Sequence, residues 1–292
     1  MKLATLSIDG RAALCVRFDD HYFPVSQLAA DVPDDLIGFI KAGPSARSRV
    51  ENALARASKV EAIDAGLAYY LPPIPNPGKI ICLGLNYKDH AAESGFIAPD
   101  YPAIFLRTPA SLVAHGANLI RPRVSEQFDF EVELAVVIGK PTRHATIESA
   151  LSSVAGYSVF NDGSIRNYQF KNEQWTIGKN FDGTGGFGPD FVTVDEVPSD
   201  AKGLHITTRL NGHTVQDANT SDMIFDVATT IAIVSECMTL EAGDIIIMGT
   251  PSGVGYARKP PLWMKPGDVC ECEIETIGIL RNTIAEEKQR AA

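Results

Sequence analysis

The sequence predicts an α+β protein in which a mixed or antiparallel β-sheet is rolled on itself. After residue 78, segments rich in β-branched and aromatic residues outnumber helical segments, and the two types do not alternate regularly. This order disfavours a doubly wound parallel sheet. Of the 292 residues, 45% are apolar and 21% are charged, proportions typical of globular proteins. At this length roughly three quarters of the unfolded surface can be buried.

The first 70 residues are predicted to form a small N-terminal α+β module. Two strand-like pieces, residues 3–8 and 12–18, flank Asp9 and Gly10, a dipeptide typical of hairpin turns. A helical stretch follows at residues 46–58. Residues 71–78 contain four prolines, and we interpret them as a stiff linker because proline fits neither helices nor central strands.

Residues 79–285 are predicted to form the main domain, and residues 286–292 a frayed polar tail. Strands are predicted at 79–83, 103–106, 130–138, 155–160, 191–194, 205–210, 244–248, 269–275 and 280–285. Helices are predicted at 87–94, 147–151, 165–169 and 224–237.

Composition argues against several classes of partner. With 36 acidic and 26 basic residues the net charge is −10, and no basic run occurs, so we expect no binding to nucleic acid or to anionic membranes. No apolar run approaches a membrane span, and the N-terminus does not resemble a signal peptide. The five cysteines are irregularly spaced, which predicts reduced thiols in a cytoplasmic protein and no zinc site.

The strongest local signal is an E-x-E pattern in FDFEVELAVVIG, residues 128–139. Side chains alternate along a strand, so Glu131 and Glu133 share one face about 7 Å apart. Two acids on one face repel each other unless a cation lies between them, and their oxygens suit Mg²⁺, Mn²⁺ or Ca²⁺. The alternative is a solvated strand face, where alternating acids are common.

Asp162 is a candidate third carboxylate. It ends another predicted strand, in the tripeptide Asn-Asp-Gly, at a position where binding residues are often found. An ordinary turn aspartate is the alternative interpretation.

A short predicted helix at 87–94 carries a different kind of candidate. His90 and Glu93 are three residues apart and therefore lie on one helix face. A carboxylate beside a histidine orients the imidazole and raises its basicity, which suits a base that takes a proton from water. The alternative is an incidental pair on a surface helix.

Three familiar motifs fail on their context. Residues 183–188 satisfy G-x-G-x-x-G, but Pro189 and a predicted strand follow where a dinucleotide site needs a helix. Lys179 precedes these glycines, so the segment is not a phosphate-binding loop of the Walker type. Residues 249–253, GTPSG, do not form the elbow of a serine hydrolase.

Taken in order, these segments resemble the fumarylacetoacetate hydrolase superfamily across residues 79–284. The matching pieces are G-x-N-Y-x-x-H-x-x-E from residue 84, P-x-x-F from 102, E-x-E from 131, N-D-x-S-x-R-x-x-Q from 161, G-K-x-F-D from 178 and G-T-P-x-G-V-G from 249. Three features depart from the pattern. Residues 80–85 lack the carboxylate found in the founding fumarylacetoacetase branch, Arg107 stands where the family often has lysine, and GGFGP at 185–189 replaces P-x-G-P. The resemblance is therefore to the broad superfamily.

The resemblance implies a rolled mixed β-sheet around a divalent-metal site, usually in a homodimer. It implies Glu131, Glu133 and Asp162 as ligands of Mg²⁺ or Mn²⁺, with Ca²⁺ as a further candidate. It also implies that His90 and Glu93 activate water from a segment, residues 86–101, that closes over the substrate. The remaining implied contacts to the substrate and its oxyanion are Lys179, Arg166, Gln169 and Thr250. Because guanidinium groups pair well with carboxylates, Arg107 and Arg166 are also candidates for binding a substrate carboxylate.

A cation held by three carboxylates retains positions for a small 2-oxo acid and would stabilise the enolate left when a C–C bond breaks. The first expectation is therefore hydrolytic cleavage of an acylpyruvate-like β-diketo acid. Decarboxylase, isomerase or lyase chemistry through the same enolate is the alternative. A metal-stabilised binding protein without catalysis is a third possibility, which the presence of His90, Glu93 and Lys179 disfavours.

Overall fold

The structure, a computed structural model, describes residues 1–56, 60–93 and 100–288, with the backbone alone at residues 91 and 92. The expectations for residues 57–58, 94–99 and 289–292 therefore concern residues outside the described part. The strands are β1 (Lys2–Ile8), β2 (Arg11–Phe18), β3 (His21–Pro24), β4 (Ile63–Asp64), β5 (Ile80–Gly84), β6 (Ala103–Arg107), β7 (Leu112–Ala114), β8 (Asn118–Arg121), β9 (Phe128–Asp129), β10 (Val132–Ile138), β11 (Val154–Asp162), β12 (Ser164–Ile165), β13 (Gly185–Thr193), β14 (His205–Leu210), β15 (His213–Asn219), β16 (Ile245–Ile247), β17 (Val269–Ile274) and β18 (Gly278–Glu286).

The helices are α1 (Val25–Leu28), α2 (Leu36–Leu54), α3 (Lys88–Glu93), α4 (Ile147–Ala150), α5 (Arg166–Gln169), α6 (Thr176–Lys179) and α7 (Val227–Cys237). Short 3-10 turns lie at Pro109–Ser111, Leu151–Ser153, Val194–Glu196, Ser199–Ala201, Thr220–Asp222 and Gly255–Ala257. In the part of the chain that the structure describes, no helix is long and apolar enough to cross a membrane.

Eleven of the described strands form one mixed sheet. Ten of them follow the order β4-β3-β2-β1-β13-β11-β10-β16-β5-β6, and β7 pairs in parallel with β13. A second sheet has the order β15-β14-β17-β18-β8, and β9 pairs with β12. Both sheets combine parallel and antiparallel pairs, which confirms the predicted α+β class with a mixed sheet.

The N-terminal strands extend the main sheet. The predicted hairpin forms around Asp9 and Gly10, whose φ angles of 50° and 76° suit a tight turn. Strand β1 also pairs with β13, with Leu3 opposite Phe191. Leu3 lies in the same apolar cluster as Val137 of the main domain. A division of the chain at residues 71–78 stays a prediction, because segments on both sides of it share one sheet and one core.

Strand β10 lies at the centre of the molecule, and all seven of its residues are buried. Leu134 and Val136 face one apolar cluster, while Ala135 and Val137 face another. A strand buried on both faces is held in register by its side chains as well as by its backbone. The residues at its beginning are therefore placed on a fixed frame.

Helix α2 and strand β13 both begin earlier than predicted. Helix α2 begins at Leu36, where Asp35 accepts a hydrogen bond from the Gly38 amide at 2.8 Å, and it kinks at Gly43, where φ is 68°. The predicted helix at 46–58 is its second half. The glycine-rich stretch at 185–190, expected to precede a strand, itself belongs to β13. A Cβ atom on Gly185 would lie 2.6 Å from Nη2 of Arg107, so glycine there leaves room for a side chain behind the sheet.

Candidate active site

Three carboxylates meet where β10 begins and β11 ends. Glu131 precedes β10, Glu133 lies on it, and Asp162 closes the adjacent β11. Each offers an oxygen within 4.8 Å of the others. Their exposed fractions are 3%, 1% and 0%. These values contradict both the solvated strand face and the surface turn as explanations of the acids.

Two of the three carboxylates are matched by buried cations. Lys179 Nζ, at the end of α6, donates to Glu131 Oε2 at 2.6 Å and to Asp162 Oδ2 at 2.5 Å. Arg166 Nη2 donates to Glu131 Oε1 at 2.6 Å, and Arg107 Nη1 donates to Asp162 Oδ1 at 2.5 Å. Glu133 forms no ion pair with a described residue and accepts only the Gly249 amide hydrogen, at 2.6 Å.

The pKa values of the two glutamates shift in opposite directions for this reason. Burial by itself would raise the pKa of Glu131, but the charges of Arg166 and Lys179 outweigh burial and hold that pKa well below its usual range. Burial raises the pKa of Glu133, and the negative charges of Asp162 and Glu131 raise it further. A buried carboxylate without a cationic partner is costly. The all-oxygen donor set therefore fits a hard divalent cation, which would supply the missing positive charge.

His90 and Glu93 form the predicted pair on α3. Nδ1 of His90 lies 3.0 Å from Glu93 Oε1, and Glu93 also accepts the Gly253 amide hydrogen at 3.0 Å. His90 is only 6% exposed and lines the cavity beside the carboxylates. A carboxylate at Nδ1 favours the tautomer with its proton there. Nε2, which bonds to no described residue, is then left with its lone pair as a proton acceptor.

Asn86 anchors the start of this helix in a way that the sequence did not predict. Its Nδ2 donates to the carbonyl oxygens of Met248 and Phe225 at 2.7 and 3.0 Å. Its Oδ1 accepts the Phe225 amide hydrogen at 2.8 Å. The amide side chain therefore ties the beginning of α3 to the strand that precedes the Gly249–Gly253 loop.

Asp129 is a site residue that sequence reasoning missed. Its Oδ2 accepts a hydrogen bond from Arg166 Nε at 2.8 Å, and its Oδ1 accepts the Gly255 amide hydrogen at 2.7 Å. Arg166 in turn reaches Gln169 Oε1 through Nη1 at 2.7 Å. Asp129 thus fixes both Arg166 and the loop at residues 249–256. The feature of the sequence that could have identified Asp129 is its position two residues before Glu131, which places both side chains on the same face of an extended segment.

Arg107 lies elsewhere than expected for a substrate contact. Besides Asp162, its guanidinium donates to Ser111 Oγ at 3.1 Å and to Thr184 Oγ1 at 3.0 Å, and the side chain is fully buried. These contacts place it behind Asp162 rather than in the cavity. The structure therefore corrects the expectation that Arg107 binds the substrate and gives it the role of counter-ion to Asp162.

Gln169 and Thr250 do line the cavity. The Nε2 amide of Gln169 donates to none of the described residues, so it is available to a ligand. Thr250 Oγ1 donates to the Val132 carbonyl at 2.9 Å and accepts from Gln216 Nε2 at 2.8 Å. Gln216, also missed in the sequence, thereby orients Thr250 against β10.

The cavity is narrow and has a polar floor. Its free volume is about 30 Å³, enough for two or three water molecules at roughly 10–15 Å³ each. Glu131, Glu133, Arg166 and Lys179 form the charged end, and aromatic side chains form the walls. The aromatic residues are Phe105, Phe170, Trp175 and Tyr256.

Comparison with known proteins places this arrangement in a family. A family model described as fumarylacetoacetate (FAA) hydrolase, C-terminal, matches residues 79–285. The mitochondrial oxaloacetate tautomerase Fahd2a of Rattus norvegicus is 40% identical over 254 residues, which cover 87% of this chain and 80% of that protein.

Two solved structures share the fold over nearly the whole chain. A fumarylacetoacetate hydrolase from Exiguobacterium antarcticum has a TM-score of 0.85 and 34% identity, covering 98% of this chain and all of that one. Maleylpyruvate hydrolase from Sphingobium sp. SYK-6, in complex with manganese(II) and pyruvate, has a TM-score of 0.82 and 27% identity, covering 99% of this chain and all of that one. The chain therefore belongs to the fumarylacetoacetate hydrolase family.

Proposed function

We propose that this protein is a divalent-metal-dependent enzyme that forms and consumes the enolates of small 2-oxo acids. The observation that carries the proposal is the buried set Glu131, Glu133 and Asp162, whose oxygens lie within 4.8 Å of one another. Glu133 has no cationic partner within the described residues, and His90 presents a free ring nitrogen to the same cavity. This combination provides both a cation site and a base.

Each group has a distinct task in this chemistry. When bound, a Mg²⁺ or Mn²⁺ ion would polarise the carbonyl of the substrate and stabilise the negative charge of its enolate. Nε2 of His90 removes and returns a proton, and Glu93 stabilises the imidazolium that forms between these steps. Lys179 and Gln169 donate hydrogen bonds towards the oxygen that gains charge. The free N–H groups of Arg166 suit a substrate carboxylate.

The reaction that we propose first is keto–enol interconversion of an oxaloacetate-like 2-oxo acid. In this reaction a proton moves between the carbon next to the oxo group and the oxo oxygen, so one base suffices and no water is consumed. Support comes from the 40% identity to an oxaloacetate tautomerase. The narrow cavity favours a substrate of that size.

Hydrolysis of an acylpyruvate is the second candidate. Here His90 takes a proton from water, the hydroxide adds to the acyl carbonyl, and the C–C bond breaks to give a carboxylic acid and a pyruvate enolate that is then protonated. The His90–Glu93 pair fits this role. The likeness to a maleylpyruvate hydrolase that binds manganese and pyruvate also supports it.

Metal removal and product analysis test both candidates. We expect the protein to lose activity on exhaustive dialysis against EDTA and to regain it with Mg²⁺ or Mn²⁺. Enol absorbance of oxaloacetate reports tautomerisation, and chromatography of products from a panel of acylpyruvates reports hydrolysis. Full activity with metal absent by elemental analysis would contradict the proposal, as would inactivity towards every 2-oxo acid in the presence of metal.

We also propose a homodimer formed through the main domain. Strand β6 is the last strand of the main sheet in the described residues. It exposes Ile104 and Leu106 at 40% and 49%, beside Ile177 of α6 at 60%. An unpaired edge with apolar side chains suits association with a second copy. A monomer by light scattering at working concentration would refute this.

A cytoplasmic location is proposed from the cysteines. All five are free, and four are buried, a state expected of a reducing compartment. Fractionation of cells that express the protein tests this proposal, and recovery in an oxidising compartment would contradict it.

A further inference from the structure

Trp175 forms part of the wall of the cavity on the side of β5 and β6. Its ring packs edge-on against Phe105, with 5.9 Å between the ring centroids. Nζ of Lys179 lies 5.0 Å from the centroid of the same Phe105 ring. A single aromatic ring therefore separates Trp175 from the ammonium group that touches Glu131 and Asp162.

The glycine at the end of β5 fixes the position of this tryptophan. A Cβ atom on Gly84 would lie 2.1 Å from Cζ3 of Trp175 and 2.8 Å from Cη2. The indole therefore rests directly on the backbone of the main sheet. Because Phe105 supports it from the side, the ring has no room to withdraw in that direction when a ligand enters.

Two further aromatic rings of the lining also have packing partners. The Tyr256 ring covers the Arg166 guanidinium at 4.5 Å, and Phe170 packs edge-on against Tyr256 at 5.4 Å. The volume of the cavity that water can reach is about 30 Å³. The carboxylate and oxo group of a 2-oxo acid would occupy most of this space, so the substituent on the next carbon must meet an aromatic wall.

We propose that Trp175 determines substrate size, so that the site accepts 2-oxo acids with a small substituent next to the oxo group and rejects those with an aromatic one. The inference rests on the proposed function, because it takes the 2-oxo acid group to lie at the carboxylates. Forcing extra bulk against a packed wall costs enough to lower affinity about tenfold or more.

Pyruvate and phenylpyruvate form a matched pair of probes, since they differ by one phenyl ring and carry the same charge. Titration calorimetry on the Mn²⁺-loaded full-length protein measures binding of each without relying on turnover. We expect the wild type to bind pyruvate at least about tenfold more tightly than phenylpyruvate. Trp175→Ala is expected to reduce that ratio by about tenfold, chiefly by improving the affinity for phenylpyruvate.

Gly84 provides an internal check on the position of the ring. In the wild type, Gly84→Ala pushes a methyl group into the indole and is expected to weaken binding of both ligands. In the Trp175→Ala background the same methyl group meets open space and is expected to have little effect, so the two substitutions should be strongly non-additive. Phe170→Ala is the control for removing a different aromatic ring from the lining. Because Phe170 is 49% exposed and so confines a ligand less, we expect this variant to change the ratio by less than about threefold.

The outcomes separate the inference from the proposed function. If neither ligand binds the metal-loaded wild type, the proposed function fails and the inference fails with it. If pyruvate binds and the ratio is unchanged in Trp175→Ala, only the inference is overturned. Retained Mn²⁺ affinity and an unchanged circular dichroism spectrum show that a variant is folded. Trp175→Leu, which keeps part of the packing, replaces Trp175→Ala if the alanine variant does not fold.

Discussion

Two polar clusters in this molecule, each built around a buried carboxyl group, differ in how completely their charges are matched. The active-site cluster holds four carboxylates and three cations, namely Asp129, Glu131, Glu133, Asp162, Arg107, Arg166 and Lys179. The second, here called the N-terminal polar cluster, consists of Arg17, Tyr22, Tyr70, His115 and Asp190. In this second cluster the Asp190 carboxylate accepts hydrogen bonds from Arg17 Nη1 at 2.9 Å and from Tyr22 Oη at 2.6 Å.

The difference indicates which cluster serves binding. Burying an ion is costly unless a partner compensates it. In the N-terminal polar cluster Arg17 balances Asp190, so its contacts serve to join β2 and β3 to β13. In the active-site cluster Glu133 has no cationic partner among the described residues, although it is just as deeply buried, and its pKa is raised by burial and by the charges of Asp162 and Glu131. The missing cationic partner of Glu133 therefore favours the active-site cluster as the one that would hold a cation.

The largest expected effect is on turnover, and it tests whether His90 transfers protons without contributing to metal binding. His90→Ala should lower turnover by about 10²–10⁴-fold, the usual contribution of a general base. Because His90 is not one of the proposed metal ligands, Mn²⁺ affinity by calorimetry should stay within about threefold. Loss of metal binding in this variant would mean that the roles of His90 and the carboxylates are misassigned.

The next prediction addresses the carboxyl group that lacks a cationic partner. Glu133→Gln removes it while keeping the shape of the side chain, so we expect Mn²⁺ affinity to fall by at least about 100-fold. The metal-free variant should be at least as stable as the metal-free wild type, since a buried carboxyl group without a cationic partner is replaced by a neutral amide. Calorimetry and thermal unfolding after EDTA treatment measure the two quantities. Unchanged metal affinity would show that Glu133 does not define the metal site.

In the N-terminal polar cluster we expect a substitution to lower the stability of the protein and to leave its metal affinity unchanged. Asp190→Ala leaves the hydroxyl of Tyr22 and the guanidinium of Arg17 without their acceptor, and we expect it to lower the free energy of unfolding by about 2 kcal/mol. Mn²⁺ affinity should not change. Urea unfolding measures the stability, and a loss of metal affinity comparable to that of Glu133→Gln would show that the two clusters are coupled.

The smallest effect concerns His115, whose ring packs against Tyr70 with 4.8 Å between the centroids. Burial and the nearby charge of Arg281 lower the pKa of His115 from 6.5 to about 4. Between pH 4 and 6.5 the unfolded chain binds more protons at this histidine than the folded chain does. The free energy of unfolding is therefore highest above pH 6.5 and decreases as the pH falls towards 4. A pKa difference of this size corresponds to about 3 kcal/mol, but the side chain is partly exposed, so we expect solvent screening to reduce the loss to about 1 kcal/mol.

His115→Asn is the matched variant for this effect. An asparagine oxygen can replace the ring nitrogen that accepts the Arg281 amide hydrogen at 3.1 Å, but asparagine does not titrate. The difference in unfolding free energy between wild type and variant should therefore change across pH 4–6.5. A difference that is constant with pH would contradict the role of His115.

The sequence predicted the local parts of the site because they depend on short spacings. Alternation along a strand placed Glu131 and Glu133 on one face, and helix geometry paired His90 with Glu93. Both predictions of proximity are met in the structure. The functional roles of these residues stay predictions, and the experiments above test them.

The parts that depend on distant segments could not be predicted in the same way. Arg107 and Asp162 are 55 positions apart in the chain, and no short-range pattern in the sequence shows that they form an ion pair. The pairing of Asp129 with Arg166 and the seating of Trp175 on Gly84 are also tertiary contacts. Strand β13 was recognised only in its last residues, because its first residues are mostly glycine and lack the β-branched side chains that mark a strand.

The pairing of β1 with β13 also bears on the solubility of any shortened version of the protein. The family model begins at residue 79, which makes residues 79–285 a natural choice for expression alone. Without β1, the backbone of β13 around Phe191 and Val192 would present an open strand edge flanked by apolar side chains. Such edges recruit strands from other molecules. The first strands thus shield the catalytic sheet from self-association, and a chain that lacks them is expected to aggregate.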